Sequence, residues 1–412
     1  MKSNYKRLGD YIRPYNQLND NMEIEELLGI SNNKYFQKSH TNTIGIDLST
    51  YRVVRTNQFA YNRATTRNGD KISIALRDGN DCIVSPSYRI FESKDENTLN
   101  SEYLMMWFRR PEFDRYVRFK SHGSAHEFFE YDEMCEVMLP VPSIEKQREI
   151  VKEYNVIVDR INLNNRLIQK LEETAQAIYK QWFVDFEFPN ENGKPYKSNG
   201  GEMIESELGE IPNGWNIKPL EDLISIKHGF AFKGENIIEE ENQNILLTPG
   251  NFRIGGGFKS SNFKYYNGDF PKDYIFKTGD LMVTMTDLSK EADTIGYPAI
   301  IPEIKGKSLL HNQRLGRVIF KHNLKFFIYW LMRSSSYRQS ILGSIIGTTV
   351  KHTSPSKIIE YKFPFCNDEL LLNKFENLSE KIQSLISQMT IENDKINALK
   401  NIILSKLATI TN

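Results

Sequence analysis

Two stretches of the chain place apolar residues at alternating intervals of four and three. The first runs Ile150, Tyr154, Ile157, Ile161, Asn164, Ile168, Leu171, Ala175, Ile178, Trp182; the second runs Leu378, Ile382, Leu385, Met389, Glu392, Ile396, Leu399, Ile403. That spacing is the a/d seam of a coiled coil. Each seam has one polar position, Asn164 and Glu392, separated by 228 residues, as Ile150 and Leu378 are. A polar seam residue costs stability and fixes register, so equivalent lapses favour two paired helices over two helices each packed on its own domain. Each helix runs about 40 residues, about 60 Å at ~1.5 Å per residue, too long to bury itself against one small domain.

Before each helix stands a copy of one pattern. Tyr103–Glu145 matches Phe327–Glu369 at a constant offset of 224, pairing Arg109 with Arg333, Phe113 with Tyr337, Gly123 with Gly347, Ser124 with Thr348 and Pro140 with Pro364. Each copy reads as an aromatic-anchored helix, a Gly-Ser/Thr loop, a short strand and a proline-marked exit. Upstream, Tyr51–Ile90 and Tyr274–Phe320 are rich in β-branched and aromatic residues and read as strands. The period far exceeds a solenoid repeat, so the pattern predicts an α+β protein with two similar α/β domains in tandem, each followed by a long helix.

Composition adds bounds. A length of 412 residues suggests two to four domains. Lys+Arg and Asp+Glu both number 53, so no bulk charge points to a partner and any nucleic-acid role needs locally segregated charge. No apolar run approaches the roughly 18 residues of a membrane span. The opening MKSNYKRLGDYIRPYN lacks an apolar core, and Cys82, Cys135 and Cys366 lie far apart. The expectation is a reduced, cytoplasmic protein without a signal peptide, disulfide framework or thiolate zinc site.

Catalytic signatures are missing. The chain has no GxxxxGK[ST] loop, no HExxH and no Pro-Pro of the methyltransferase type, and its seven histidines lack metal-ligand spacing. Gly255-Gly256-Gly257 reads as a loop tip. Asp287, Glu303 and Lys305 fit a carboxylate nuclease pattern, but so short a pattern matches by chance.

Features suited to nucleic acid fall at matching places in the repeats. The loop holding Ser124 and His126 matches the one holding Thr348, Thr349 and Lys351, with His352 next. Backbone N–H groups and hydroxyls there suit phosphates, and the Lys and His side chains suit base edges. Upstream, Asn62, Arg63, Thr66 and Arg67 cluster in the first copy, and Thr284 and Thr286 hold the comparable place in the second. Asn312, Gln313 and Arg314 form a further donor and acceptor run. For each residue singly, an ordinary turn or solvated surface explains the pattern equally well.

The sequence resembles the specificity, DNA-recognition subunit of type I restriction-modification systems. The resemblance rests on Leu171–Phe186 (LEETAQAIYKQWFVDF), Leu208–Trp215 (LGEIPNGW), Pro140–Ile150 (PVPSIEKQREI) and Asn42–Asp47 (NTIGID), and it covers essentially the whole chain. It implies a first target-recognition domain over 1–143, a central helix over 144–186, a linker over 187–212, a second target-recognition domain over 213–365 and a C-terminal helix over 366–412. It further implies that the two helices pair as an antiparallel coiled coil and act as a ruler, and that each domain reads one half of a split double-stranded DNA target. Two modification subunits would bind this scaffold, carry S-adenosylmethionine and methylate adenine at N6, with up to two restriction subunits using ATP and Mg; this chain itself would hold no cofactor or metal and catalyse nothing. Competing readings are a stand-alone modification system, a non-catalytic coiled-coil interaction scaffold, and a nuclease.

Overall fold

The computed structural model describes residues 5–39, 45–64, 71–121, 127–347 and 350–410. The chain divides into two units, Met1–Asn164 with Glu392–Asn412, and Asn165–Ile391.

In the first unit a four-stranded antiparallel sheet has the order Ile12–Tyr15, Tyr88–Ser93, Phe59–Asn62, Ile74–Leu76. Three helices follow: α1 (Ser101–Phe108), α2 (Pro111–Lys120) and α3 (Tyr131–Cys135). Asn100 caps α1 by accepting from the Tyr103 N–H, and proline opens α2, where its missing N–H costs nothing. Strand Met138–Pro140 pairs with Tyr5–Arg7 and leads into the long helix α4 (Ile144–Phe183). Buried Gln147 ties the start of α4 to the domain, donating to the Thr98 and Pro142 carbonyls and accepting from the Asn100 N–H.

The second unit repeats this plan. Its sheet order is Ile224–His228, Leu315–Phe320, Leu281–Thr284, Pro298–Ile300, with the same connectivity. Helices α5 (Lys325–Leu331), α6 (Ser335–Gly343) and α7 (Pro355–Ile359) begin 224 residues after α1, α2 and α3, and strand Lys362–Phe365 pairs with Asn216–Pro219 before helix α8 (Glu369–Lys406). A five-stranded sheet is added here: Ile237–Ile238, Lys264–Tyr266, Asn244–Leu247, Ser308–His311, Ile275–Phe276. The 187–212 stretch, read from sequence as a linker, holds a hairpin of Met203–Ser206 with Gly209–Pro212. Phe188 there stacks on Tyr196 and Trp215 at 4.6 and 5.3 Å.

Helices α4 and α8 run antiparallel, Asn164 meeting Asn393 and Tyr179 meeting Phe375. In the second unit Phe183 lies 4.9 Å from Phe327 and 5.0 Å from Phe375, so the aromatic helix α5 seals against both long helices. In the first, Leu404 of α8 and Leu407 just beyond its end join the core of Tyr103, Phe108 and Phe113.

The α4 seam places Ile157, Ile161 and Leu171 half-buried and Asn164 and Ile168 buried. On α8 the seam differs from expectation at every second position. Leu385 and Leu399 are 44% and 48% exposed, while Ser379, Ile386 and Asn393 are buried and Lys400 is half-buried. Met389 and Ile396 are half-buried at the interface positions. Glu392 lies at the edge, where Arg160 holds it at 2.9 Å, and the buried polar partner of Asn164 is Asn393 at 3.0 Å. Apolar residues at both 385 and 386 satisfy the seven-residue period, so periodicity alone does not choose between them.

Candidate nucleic-acid interface

A cleft of about 740 Å³ opens in the second unit. It lies between the added sheet and the segment Thr286–Thr294, with Asn312, Gln313 and Arg314 in its wall and Lys259 and Lys264 exposed beside them.

The backbone of the run Asn312–Arg314 is fixed. The Phe230 N–H donates to the His311 carbonyl and the Gln313 N–H to the Phe230 carbonyl. Gly229 passes so close that a Cβ there would stand 2.0 Å from the Asn312 oxygen. The Asn312 Oδ1 accepts from the Arg314 N–H, so this amide shapes its own turn as well as facing the cleft. Gln313 keeps Oε1 shielded from solvent and without a hydrogen-bond partner among the described residues. The amide as a whole is half-buried in the cleft wall. Arg314 is exposed. Behind the run, His311 is fully buried; its Nε2 donates to the Leu315 carbonyl at 2.9 Å and burial pushes its pKa down to about 4, so it stands neutral.

The opposite wall is a loop held by Asp287. Its carboxylate accepts from the N–H groups of Ser289, Thr294 and Ile295 and from the Thr294 hydroxyl. These bonds outweigh burial and hold its pKa below the usual carboxylate range. An oxygen pair so filled has no room for a metal, Glu303 and Lys305 are exposed, and no metal-ligand cluster occurs among the described residues; the nuclease pattern fails on Asp287.

Several expected contact residues have other duties. Thr284 is fully buried and donates to the Thr286 carbonyl, which removes it from any interface. Thr286 lines the cleft, but its backbone pairs with His352 and its hydroxyl sits 3.3 Å from His352 Nδ1. Lys351 donates to the Ser289 and Lys290 carbonyls and so braces the Asp287 loop rather than reaching outward. His352 is exposed beside it. In the first unit Asn62 Oδ1 accepts from the Ala64 N–H, and Arg63 pairs with Glu130 at 2.7 Å over the Phe128 ring. Thr66, Arg67, Ser124, His126, Thr348 and Thr349 lie outside the described residues.

The sequence reading took Gly255-Gly256-Gly257 as a loop tip but joined neither that loop nor Lys259 and Lys264 to a site. Gly255, Gly256 and Gly257 all take positive φ, a run that only glycine adopts without strain, and this was the available signal for a built turn beside the cleft.

Residues 212–401 match the family model for the type I restriction modification DNA specificity domain. The chain is 28% identical over 315 residues to the type I restriction enzyme MjaIX specificity subunit of Methanocaldococcus jannaschii. Over that stretch, and along much of its length, the chain is similar to type I specificity subunits. The MjaIX match covers 73% of this chain and 66% of the relative. The MjaVIII specificity subunit of the same organism is 26% identical over 66% of this chain and 61% of its own length, so the matches span just under two thirds of these relatives. The crystal structure of the S subunit of a type I restriction-modification system from M. genitalium shares the fold, at TM-score 0.53 and 12% identity over 99% of this chain and 96% of that one. Among the described residues, no helix is long and apolar enough to cross a membrane.

Proposed function

We propose that this chain is the DNA-recognition subunit of a type I restriction-modification complex, each unit reading one half of a split double-stranded target. The observation that carries the reading is the cleft of the second unit, whose lining brings Gln313 and Arg314 together with Lys259 and Lys264. Gln and Arg pair bidentately with adenine and guanine edges, and lysines supply phosphate contact that carries no sequence information.

The same reading assigns chemistry to partners. Modification subunits bring S-adenosylmethionine and methylate adenine at N6; restriction subunits, where present, bring ATP and Mg. The paired helices set the spacing of the half-targets and seat the partners. Exposed apolar residues support that seat: Val156 and Leu163 on α4, and Leu385, Leu399 and Ile402 on α8. Leucines turned out of a coiled-coil seam toward solvent suit a further helix.

The test is binding of the complex to target duplex across a salt series. Arg314→Ala should cost about 1–3 kcal/mol and relax one base position. Lys259→Ala with Lys264→Ala should weaken all duplexes alike and reduce the salt slope by about 2. Equal binding to all duplexes by the unaltered complex contradicts the proposal.

A further inference from the structure

A charge cluster joins the long helix to the loop beside the cleft. Glu172 of α4 receives Arg253 at 2.6 Å on one carboxylate oxygen, and Arg333 lies 3.6 Å from the other. Arg333 is nearly buried, its plane over the Trp330 ring; its Nε donates to the Gly255 carbonyl at 2.9 Å and its Nη1 to the Tyr329 hydroxyl. Both arginines therefore reach the turn Arg253–Gly257. That turn is closed by the Arg253 N–H on the Gly257 carbonyl and by the Gly257 N–H on the Pro298 carbonyl. Ile254, at its tip, lines the cleft.

We propose that Glu172 is a positioning residue for recognition: through Arg253 and Arg333 it fixes the turn Arg253–Gly257 at the mouth of the cleft, so that base selection in one half-target depends on a residue of the scaffold helix. The proposal rests on the recognition reading above. Glu172 and Arg333 are largely shielded from water, so neutralising Glu172 leaves the Arg333 charge uncompensated, a costlier loss than breaking a surface pair.

Among the described residues, the first unit does not repeat this arrangement. Its residue matching Arg333 is Arg109, which lies over the Tyr154 ring at 5.7 Å. The position 228 residues after Glu172 is Lys400, whose ammonium donates to Asn397. Burial, then the charge of Arg109, pushes the Lys400 pKa down. Opposite charges in one repeat are replaced by like charges in the other, so the clamp acts on one half-target.

The experiment uses the full chain with Glu172→Gln, and with Arg253→Gln as a second variant whose half-exposed site tolerates the change. Amide hydrogen exchange at Gly256 and Gly257 is measured on the chain alone, and base preference on its complex with a modification subunit. The proposal expects exchange about tenfold faster at these amides. It also expects about tenfold weaker discrimination in one half-target with the other retained. Unchanged exchange in both variants overturns the clamp, whether or not the complex recognises DNA. Equal loss in both half-targets also overturns it. An unaltered complex that selects no split target contradicts the recognition reading, and the exchange data alone then judge the clamp.

Discussion

At the scale of single residues, the cleft divides its polar groups between building and presenting. Asp287, Thr284, Lys351 and His311 build. Asp287 satisfies three backbone donors and a hydroxyl, so Asp287→Ala should destabilise the second unit by about 2–3 kcal/mol, read from its denaturation midpoint. His311 predicts a pH dependence. Its folded pKa of about 4 lies below the 6.5 of an exposed imidazole, so the unfolded chain binds the extra proton first. Stability is then full above pH 6.5 and falls as pH drops toward 4, by about 3 kcal/mol in all. His311→Gln, which keeps an N–H donor, should remove that slope; an unchanged slope across this window contradicts the assignment. The residue types at Gln313 and Arg314 were legible in the sequence as donors and acceptors. The inward duty of Lys351 was not, since nothing in a linear sequence shows that the Ser289 and Lys290 carbonyls stand beside its ammonium.

At the scale of elements, the long helices show what periodicity decides. The pattern located both helices and a polar lapse in each. It did not locate Asn393, because Glu392 satisfies the same period and only packing brings Asn393 against Asn164. Two amides that satisfy each other in a seam form a coupled pair. Asn164→Leu and Asn393→Leu should each cost about 1–3 kcal/mol and the double variant less than their sum. Strict additivity in chemical denaturation contradicts the coupling. Ile168 is buried in the same seam, where a charge would be cut off from water, so Ile168→Lys should abolish assembly with a modification subunit in size-exclusion chromatography. Leu385→Lys should leave the helix pair folded and weaken only assembly. Its exposure is what separates the two outcomes.

At the scale of the whole molecule, the internal repeat was the most legible feature, because helices α1 to α3 and α5 to α7 keep a constant offset of 224 in sequence and in structure. The five-stranded sheet of the second unit was not legible, since its strands are short and two of them, Asn244–Leu247 and Ser308–His311, pair in parallel across a long separation. That sheet forms one side of the cleft, so the site stayed hidden although several of its residues were named. A fold used twice with different linings is suited to reading two different sequences on one scaffold. The most direct test maps N6-methyladenine at single-molecule resolution in cells expressing this chain with a modification subunit, against cells lacking this chain. The account predicts a split motif that disappears without the chain. Methylation that is identical with and without it, from a complex shown to assemble, contradicts the account.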